Sequence, residues 1–286
     1  MDACQAGSLT YNEFKDRHYL GKGSCMPEIG IIAGSGFYEI EGIEIKELKK
    51  VTTPYGEPSD LYRLCEMSGR EVMFLSRHGT PHHIPPHRIN YRANIWGFRE
   101  LGVQRILSVN AVGGINPGLR PGEMVIPDQI IDMTHGRAST FYDSSEVIHI
   151  DFTLPFCGEL RDALITAGRK LNRALGEAGA YICVNGPRLE SKAEIKYFSC
   201  IGADIVGMTA MPEACLAREL ELCFAGIAVV TNYAAGISEK HLTTSEVVET
   251  MKTSREQVKS LLAETLTMIP EKRECACQNA LKDARL

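Results

Sequence analysis

The sequence predicts an α/β fold built on a largely parallel sheet. Short apolar runs rich in β-branched residues recur along the chain, and helical periodicity fills the space between several of them. The unusual sequences all directly follow those runs. In α/β sheets a ligand lies beyond the carboxyl ends of the strands, so these loops predict one composite site.

The expected strands are 29–33, 72–76, 106–112, 123–131, 180–184, 204–208 and 226–230. Their lengths and β-branched content fit buried strands. Leu160, Leu164, Ala167, Leu171 and Ala174 recur at helical spacing, with Gly176 as the expected residue just past the helix end. Ser191 with Glu194, and Thr243 with Glu246, have the S/T-x-x-E pattern that satisfies the free N–H groups of a first helical turn.

The chain has 286 residues, 44% hydrophobic and 23% charged, an ordinary globular composition with enough apolar material for a large core. No linker or repeat divides it. The expected organisation is a weakly ordered N-terminal extension at 1–26, one domain at 27–270, and a charged, Cys-rich peripheral tail at 271–286. A net charge of −5 argues against nucleic acid, because no basic surplus exists to neutralise phosphates. No apolar run approaches the ~20 residues of a membrane span, and the N-terminus lacks the apolar core of a signal peptide. A cytoplasmic protein with no membrane partner is expected. The 10 cysteines are scattered, which fits free thiols in a reducing compartment. Cys275-Ala276-Cys277 is the one tight pair; two thiols alone make a poor metal site, and whether they pair is open.

Each loop has its own chemistry. Gly34-Ser35-Gly36 permits close backbone approach, and the Ser35 hydroxyl and N–H groups suit a phosphate, although a tight turn explains the same residues. The third glycine of a dinucleotide loop and the Lys-Ser/Thr of a P-loop are missing. Arg77 and His78 end a strand, where Arg can fork two bonds to a phosphate and His can add a third; a salt bridge and a satisfied histidine are the bland alternative. His82, His83 and His87 tempt a zinc reading, but three prolines interrupt them and no carboxylate or thiol joins them, so a pocket-lining loop is expected and no metal. In "NAVGG", Asn110 and the Ala111 N–H suit phosphate or sugar. Glu190 precedes a helix start, where it serves either the helix dipole or a ligand N–H. Thr209 offers a hydroxyl and Met208 an apolar surface.

Taken together, "GIIAGSG", "LSRHG", "INYRANIWGFRELG", "VNAVGGI", "GPRLES", "GADIVGMTAMPEA" and "VVTNYAAG" resemble the methylthioadenosine and purine nucleoside phosphorylases, from about Gly30 to Met268. The resemblance implies a single-domain nucleoside phosphorylase fold with a mixed central β-sheet flanked by helices. It implies cleavage of a purine nucleoside by inorganic phosphate, with no metal or organic cofactor, in a homotrimer. By position it assigns Ser35, Arg77, His78, Ala111 and Thr209 to phosphate, with Asn110 beside them. Met208 resembles the residue under the ribose, and His82 flanks the 5′ substituent. His149 resembles a residue reaching a neighbouring subunit's sugar pocket. Thr244, where ordinary purine nucleoside phosphorylases have a histidine, and Val247 one turn later border the 5′ pocket. Leu189 stands where many members stack an aromatic on the purine.

Adenosine-type members resemble this chain but read "TDYD" where it has Asn232 and Ala234, with a serine at the position of Glu190. The Asn232–Glu190 pairing resembles 6-oxopurine phosphorylases, and the physics agrees. Hypoxanthine and guanine present N1–H, which Glu190 accepts, and O6 and N7, which accept from the Asn232 amide. Asn232 and Glu190 are therefore the expected catalytic pair. Inosine, guanosine and S-methyl-5′-thioinosine are the expected substrates; S-methyl-5′-thioadenosine, or a catalytically silent purine-binding protein, are the alternatives.

Overall fold

The computed structural model describes residues 27–34, 44–144, 146–239 and 243–285. The 1–26 extension and Ser35 lie outside the described residues.

An 11-stranded sheet runs β2-β3-β4-β1-β5-β10-β9-β7, with β11 also on β5, β6 on β11 and β8 on β6. The strands are β1 (Ile29–Ala33), β2 (Ile45–Lys49), β3 (Tyr62–Met67), β4 (Arg70–Ser76), β5 (Arg105–Gly114), β6 (Met124–Val125), β7 (Gln129–Asp132), β8 (Leu175–Gly176), β9 (Ala180–Cys183), β10 (Ile205–Gly207) and β11 (Cys223–Tyr233). Among the described residues five α-helices accompany them: α1 (Tyr91–Glu100), α2 (Gly158–Lys170), α3 (Lys192–Cys200), α4 (Ala210–Glu219) and α5 (Thr244–Met268).

The sheet separates two cores. On one face alternate residues such as Ile31, Phe74, Leu107 and Ile227 pack under Leu160 and Leu164 of α2 and Leu261 and Leu262 of α5. On the other face Ile32, Leu75, Ile106 and Ala228 pack under Ile95 and Phe98 of α1 and Leu216 and Ala217 of α4. Strands buried on both faces read as continuous apolar runs, which is why the sequence exposes them. A third, smaller cluster seats Ile195 and Phe198 of α3 on Ile182 and Val206.

Three local expectations change. The run 123–131 is two strands, broken at Pro127, which lacks an N–H for the ladder; β6 joins β11 while β7 joins β9. Helix α2 ends at Lys170, and Asn172, at φ 51°, turns the chain instead of Gly176, which lies in β8. The sheet is mixed, as the family resemblance implied and unlike the largely parallel sheet of the strand pattern alone, because the β2–β3–β4 meander, β10 on β5, and β6 on β11 are antiparallel. Both expected helix starts are present. Ser191 and Glu194 close a reciprocal capping box, and Thr243 accepts from the Glu246 N–H. In the tail, expected to be peripheral, Cys277, Leu281 and Ala284 are buried.

One topological feature positions the site. β11 occupies one edge of β5 from Arg105 to Gly114. The other edge is shared: β1 runs parallel as far as Ala33↔Val109, and β10 arrives antiparallel at Val206↔Gly113. Asn110, Ala111 and Val112 therefore face a gap between two strand ends, a switch point of the kind at which α/β sheets place their ligands.

Candidate active site

Arg77 lies at the end of β4, its N–H bonded to Ala33 O (2.9 Å) across the end of β1. Its side chain is 1% exposed. The guanidinium bonds Glu213 through Nε (2.5 Å) and Nη2 (3.1 Å), Ser108 Oγ through Nη2 (2.7 Å), and Val109 O through Nη1 (3.0 Å). Burial works against the cation, but the charge and hydrogen bonds of Glu213 outweigh it and hold the pKa above that of an ordinary arginine. Burial pushes the Glu213 carboxyl up, and Arg77 pulls it back. The expectation of a free phosphate clamp is thus corrected in part. Glu213 takes one side of the fork, and one Nη1 N–H remains.

That N–H has a direction. A Cβ on Gly34 would lie 3.2 Å from Arg77 Nη1 and 3.3 Å from His78 Nε2, so both nitrogens face Gly34 at the end of β1. His78 Nδ1 lies 2.8 Å from Ile84 O. A carbonyl only accepts, which places the proton on Nδ1 and leaves Nε2 a lone pair. Burial, with the neighbouring Arg77 charge, lowers His78 to about 3, so the ring is neutral at physiological pH. His82 stacks on it with ring centroids 4.3 Å apart.

A polar chain runs on from Arg77. Ser108 Oγ donates to Asn110 Oδ1 (2.9 Å), and Asn110 Nδ2 donates to Thr209 Oγ1 (2.9 Å). Thr209 caps α4 at the end of β10 without using its hydroxyl as a helix cap. Because that hydroxyl accepts from Asn110, its own proton is left for a further acceptor. Arg77, His78, Asn110 and Thr209, called from sequence, are drawn together here, with the half-buried Ala111 on the strand between them. Neither Ser108 nor Glu213 was foreseen. Ser108 had a signal, since it lies two residues before Asn110 and so on the same face of β5. Glu213 had only its position in a first turn.

The base-side residues differ in enclosure: Asn232 and Ala234 are buried, Glu190 is half-buried and Leu189 is exposed. A register shift between Val230 and Asn232 inserts Thr231 as an extra residue in β11 opposite β5. Such a bulge re-aims the next side chain. Asn232 Oδ1 accepts from Thr231 Oγ (2.8 Å) and its Nδ2 donates to Tyr233 O (3.0 Å), leaving one amide N–H and one lone pair. A Cβ on Gly113 would lie 3.5 Å from both Asn232 Nδ2 and Ala234 Cβ. Glycine therefore keeps the gap open between them.

Glu190 immediately precedes the α3 cap. Glu194, not Glu190, closes the capping box, and Arg188 pairs with Glu194 through two bonds of 2.8 and 2.6 Å. Glu190 is thereby released from helix duty. Its Oε1 is buried with no hydrogen-bond partner among the described residues. Burial, with the Glu194 charge, raises its pKa. The Glu190 loop meets the Asn232 loop where a Cβ on Gly236 would lie 3.0 Å from Lys192 Cγ. Leu189 is 44% exposed, and Met208 packs against Gly186 at the base of the same loop. Arg137, missed in the sequence, ties these loops by donating to Met208 O (2.8 Å), Met211 O (2.6 Å) and Asn185 O (2.9 Å).

Among the described residues no hydrogen bond joins the remaining expected residues to the polar chain. His149 is exposed, its N–H bonded to Ala284 O (2.8 Å). Val247 is half-buried in the first turns of α5. Thr244 opens that helix; its side chain lies outside the described residues.

The family model of the phosphorylase superfamily matches residues 28–267. The chain is 54% identical over 258 residues to a probable S-methyl-5′-thioinosine phosphorylase of Thermodesulfovibrio yellowstonii, covering 90% of this chain and 97% of that protein. It is 51% identical to a 6-oxopurine nucleoside phosphorylase of Pyrococcus furiosus, covering 91% and 99%. Its fold is similar to that of the methylthioadenosine phosphorylase of Schistosoma mansoni in complex with adenine, with a TM-score of 0.86 at 34% identity over 91% of this chain and 99% of that one. A mixed sheet with its polar gap at the β1/β10 switch point and a match across nearly the whole described length lead to one statement: the chain belongs to the phosphorylase superfamily.

Proposed function

We propose that the protein is a purine nucleoside phosphorylase acting on 6-oxopurine nucleosides, namely inosine, guanosine or S-methyl-5′-thioinosine. Inorganic phosphate is the co-substrate, and free base and a (5-methylthio)ribose 1-phosphate are the products. One observation carries the base assignment: the buried Oε1 of Glu190, unpartnered among the described residues, on the loop that packs against the Asn232 loop. A buried carboxylate oxygen without a donor is costly, and a purine N1–H would satisfy it. Adenine carries a lone pair at N1 and would oppose it.

The chemistry is positioning and electrostatics. Phosphate sits in the β1/β10 gap. It accepts from the spare Arg77 N–H and the Thr209 hydroxyl, and its own O–H donates to His78 Nε2. The glycosidic bond loosens to an oxocarbenium-like sugar over the phosphate. Asn232 donates its free amide N–H to N7 or O6 as charge builds on the leaving purine, and Glu190 orients it. The reaction needs neither a metal nor an organic cofactor. The assembly we propose is a cytoplasmic homotrimer in which exposed His149 reaches a neighbour's sugar pocket; light scattering gives the subunit count.

The test is a set of initial rates at saturating phosphate on inosine, guanosine, S-methyl-5′-thioinosine and S-methyl-5′-thioadenosine. Faster release of hypoxanthine or guanine than of adenine supports the assignment. A preference for the adenine compound, the reading favoured by the likeness to the Schistosoma enzyme, overturns it. Tight binding without turnover makes the chain a silent purine-binding protein.

A further inference from the structure

Four of the cysteines meet far from that site. Cys157 is the N-cap of α2, Cys223 opens β11, and Cys275 and Cys277 bracket the start of a 3-10 turn at Ala276–Asn279. Their four Sγ atoms all lie within 4.8 Å of one another. Cys223 Sγ and Cys275 Sγ are 3.3 Å apart, and all four are free thiols. Three are buried and Cys275 is half-buried. Four sulfurs held at ~2.3 Å around one zinc ion stand about 3.8 Å apart along the edges of the tetrahedron. The cluster therefore already has the dimensions of such a site.

Its surroundings hold the ligands in place. The Cys157 N–H donates to Phe224 O (2.8 Å), which fixes the first two thiols relative to each other. The tail that carries the other two is held by Arg273 Nη1 on Glu221 O (2.7 Å) and by the Glu274 N–H on Glu159 Oε2 (3.1 Å). Arg105 is the sheet partner of Cys223, is 1% exposed, and has an Nε with no hydrogen-bond partner among the described residues. Its guanidinium is ion-paired with Glu28 (3.0 Å) and lies 3.8 Å from Glu159, which anchors the start of β5 beside Cys223. Cys157, Cys223 and Cys277 also belong to the core packed under α2 and α5, which keeps water out.

We propose that Cys157, Cys223, Cys275 and Cys277 form a closed structural site for a zinc-class soft divalent cation, which staples the C-terminal tail to the sheet. Binding is proton exchange without redox. One divalent ion displaces up to four thiol protons and forms four metal–sulfur bonds, so affinity rises with pH. All four positions of the tetrahedron are filled by protein, which leaves none for a substrate. Eight residues of extended β11 also lie between Cys223 and Asn232, nine steps or about 30 Å at the usual strand rise. The ion's role is therefore to hold the fold.

The experiment uses the full chain purified without a chelating tag. Elemental analysis should find one zinc per chain, and the denatured, metal-stripped protein should titrate all 10 cysteines as thiols without added reductant. Loading the stripped protein with Co²⁺ alone should give the intense visible bands of tetrahedral tetrathiolate cobalt. A Cys275→Ser/Cys277→Ser double variant should lose the zinc and those bands and keep its phosphorolysis rate at low temperature. If the variant does not fold, the cobalt spectrum of the unaltered chain still decides. A metal-free protein giving no tetrathiolate spectrum overturns the proposal. So does a titration four thiols short of 10, which would mean the cluster closes as two disulfides.

Discussion

The two ends of the candidate site differ in how finished they are. At the phosphate end Arg77, Glu213, Ser108, Asn110 and Thr209 are buried and bonded into one chain, and only single donors point outward. At the base end, among the described residues, Glu190 keeps an unpartnered oxygen, Asn232 keeps half of its amide unused, and Leu189 is exposed. The contrast suggests a division of labour. On the proposed function, phosphate meets a preorganised network, while the purine base meets groups whose partners arrive with the substrate. The pre-formed end should therefore carry stability and the unfinished end specificity.

The largest effect that can break this division lies at Glu213. Glu213→Ala leaves the Arg77 charge buried without its partner and should cost about 3–5 kcal/mol in a denaturant melt. A loss below about 1 kcal/mol would mean that the pair does not hold the phosphate end together.

Next is Asn232→Asp, which replaces the buried Nδ2 donor to Tyr233 O with an acceptor and should cost about 1–3 kcal/mol in the same melt. It should move the ratio of inosine to S-methyl-5′-thioadenosine kcat/KM by ten- to a hundredfold toward the adenine compound, about 1.4–2.8 kcal/mol. An unmoved ratio removes the base-reading role of Asn232.

Glu190 sharpens the same contrast through pH. Its pKa is raised by burial, and it accepts a purine N1–H most strongly when ionised. The kcat/KM for inosine should therefore fall as pH drops through a value above the ordinary 4.5. Glu190→Gln should lower that kcat/KM about tenfold and abolish this acid limb. A limb that survives in the variant belongs to another group.

The smallest effect expected is at Thr243, whose hydroxyl caps α5. Thr243→Ala should cost about 1 kcal/mol in stability, with little change in which base is preferred.

Much of this molecule is legible without coordinates. The strands β1, β4, β5, β9, β10 and β11 announce themselves because a strand buried on both faces must be apolar throughout. The Ser191 and Thr243 caps are legible because a cap is settled within four residues. The loop chemistry at Arg77, Asn110, Thr209, Glu190 and Asn232 is legible because rare residue types follow directly on strand ends. These readings all depend on neighbours along the chain.

What only the tertiary structure decided depends on neighbours across it. The partner of Arg77 is 136 residues away, and nothing local to either residue selects it. The bulge at Thr231 exists only in the pairing of β11 with β5. The antiparallel arrival of β10, which opens the gap beside Asn110, is a matter of strand order rather than propensity. The four thiols come from three separate stretches, and two of them alone read as a poor metal site. By itself the sequence determined which segments are strands or helices and which reactive groups end them. Register, strand order and burial decided which of those groups meet, because such contacts are selected by the packing of the whole sheet and not by any stretch within it.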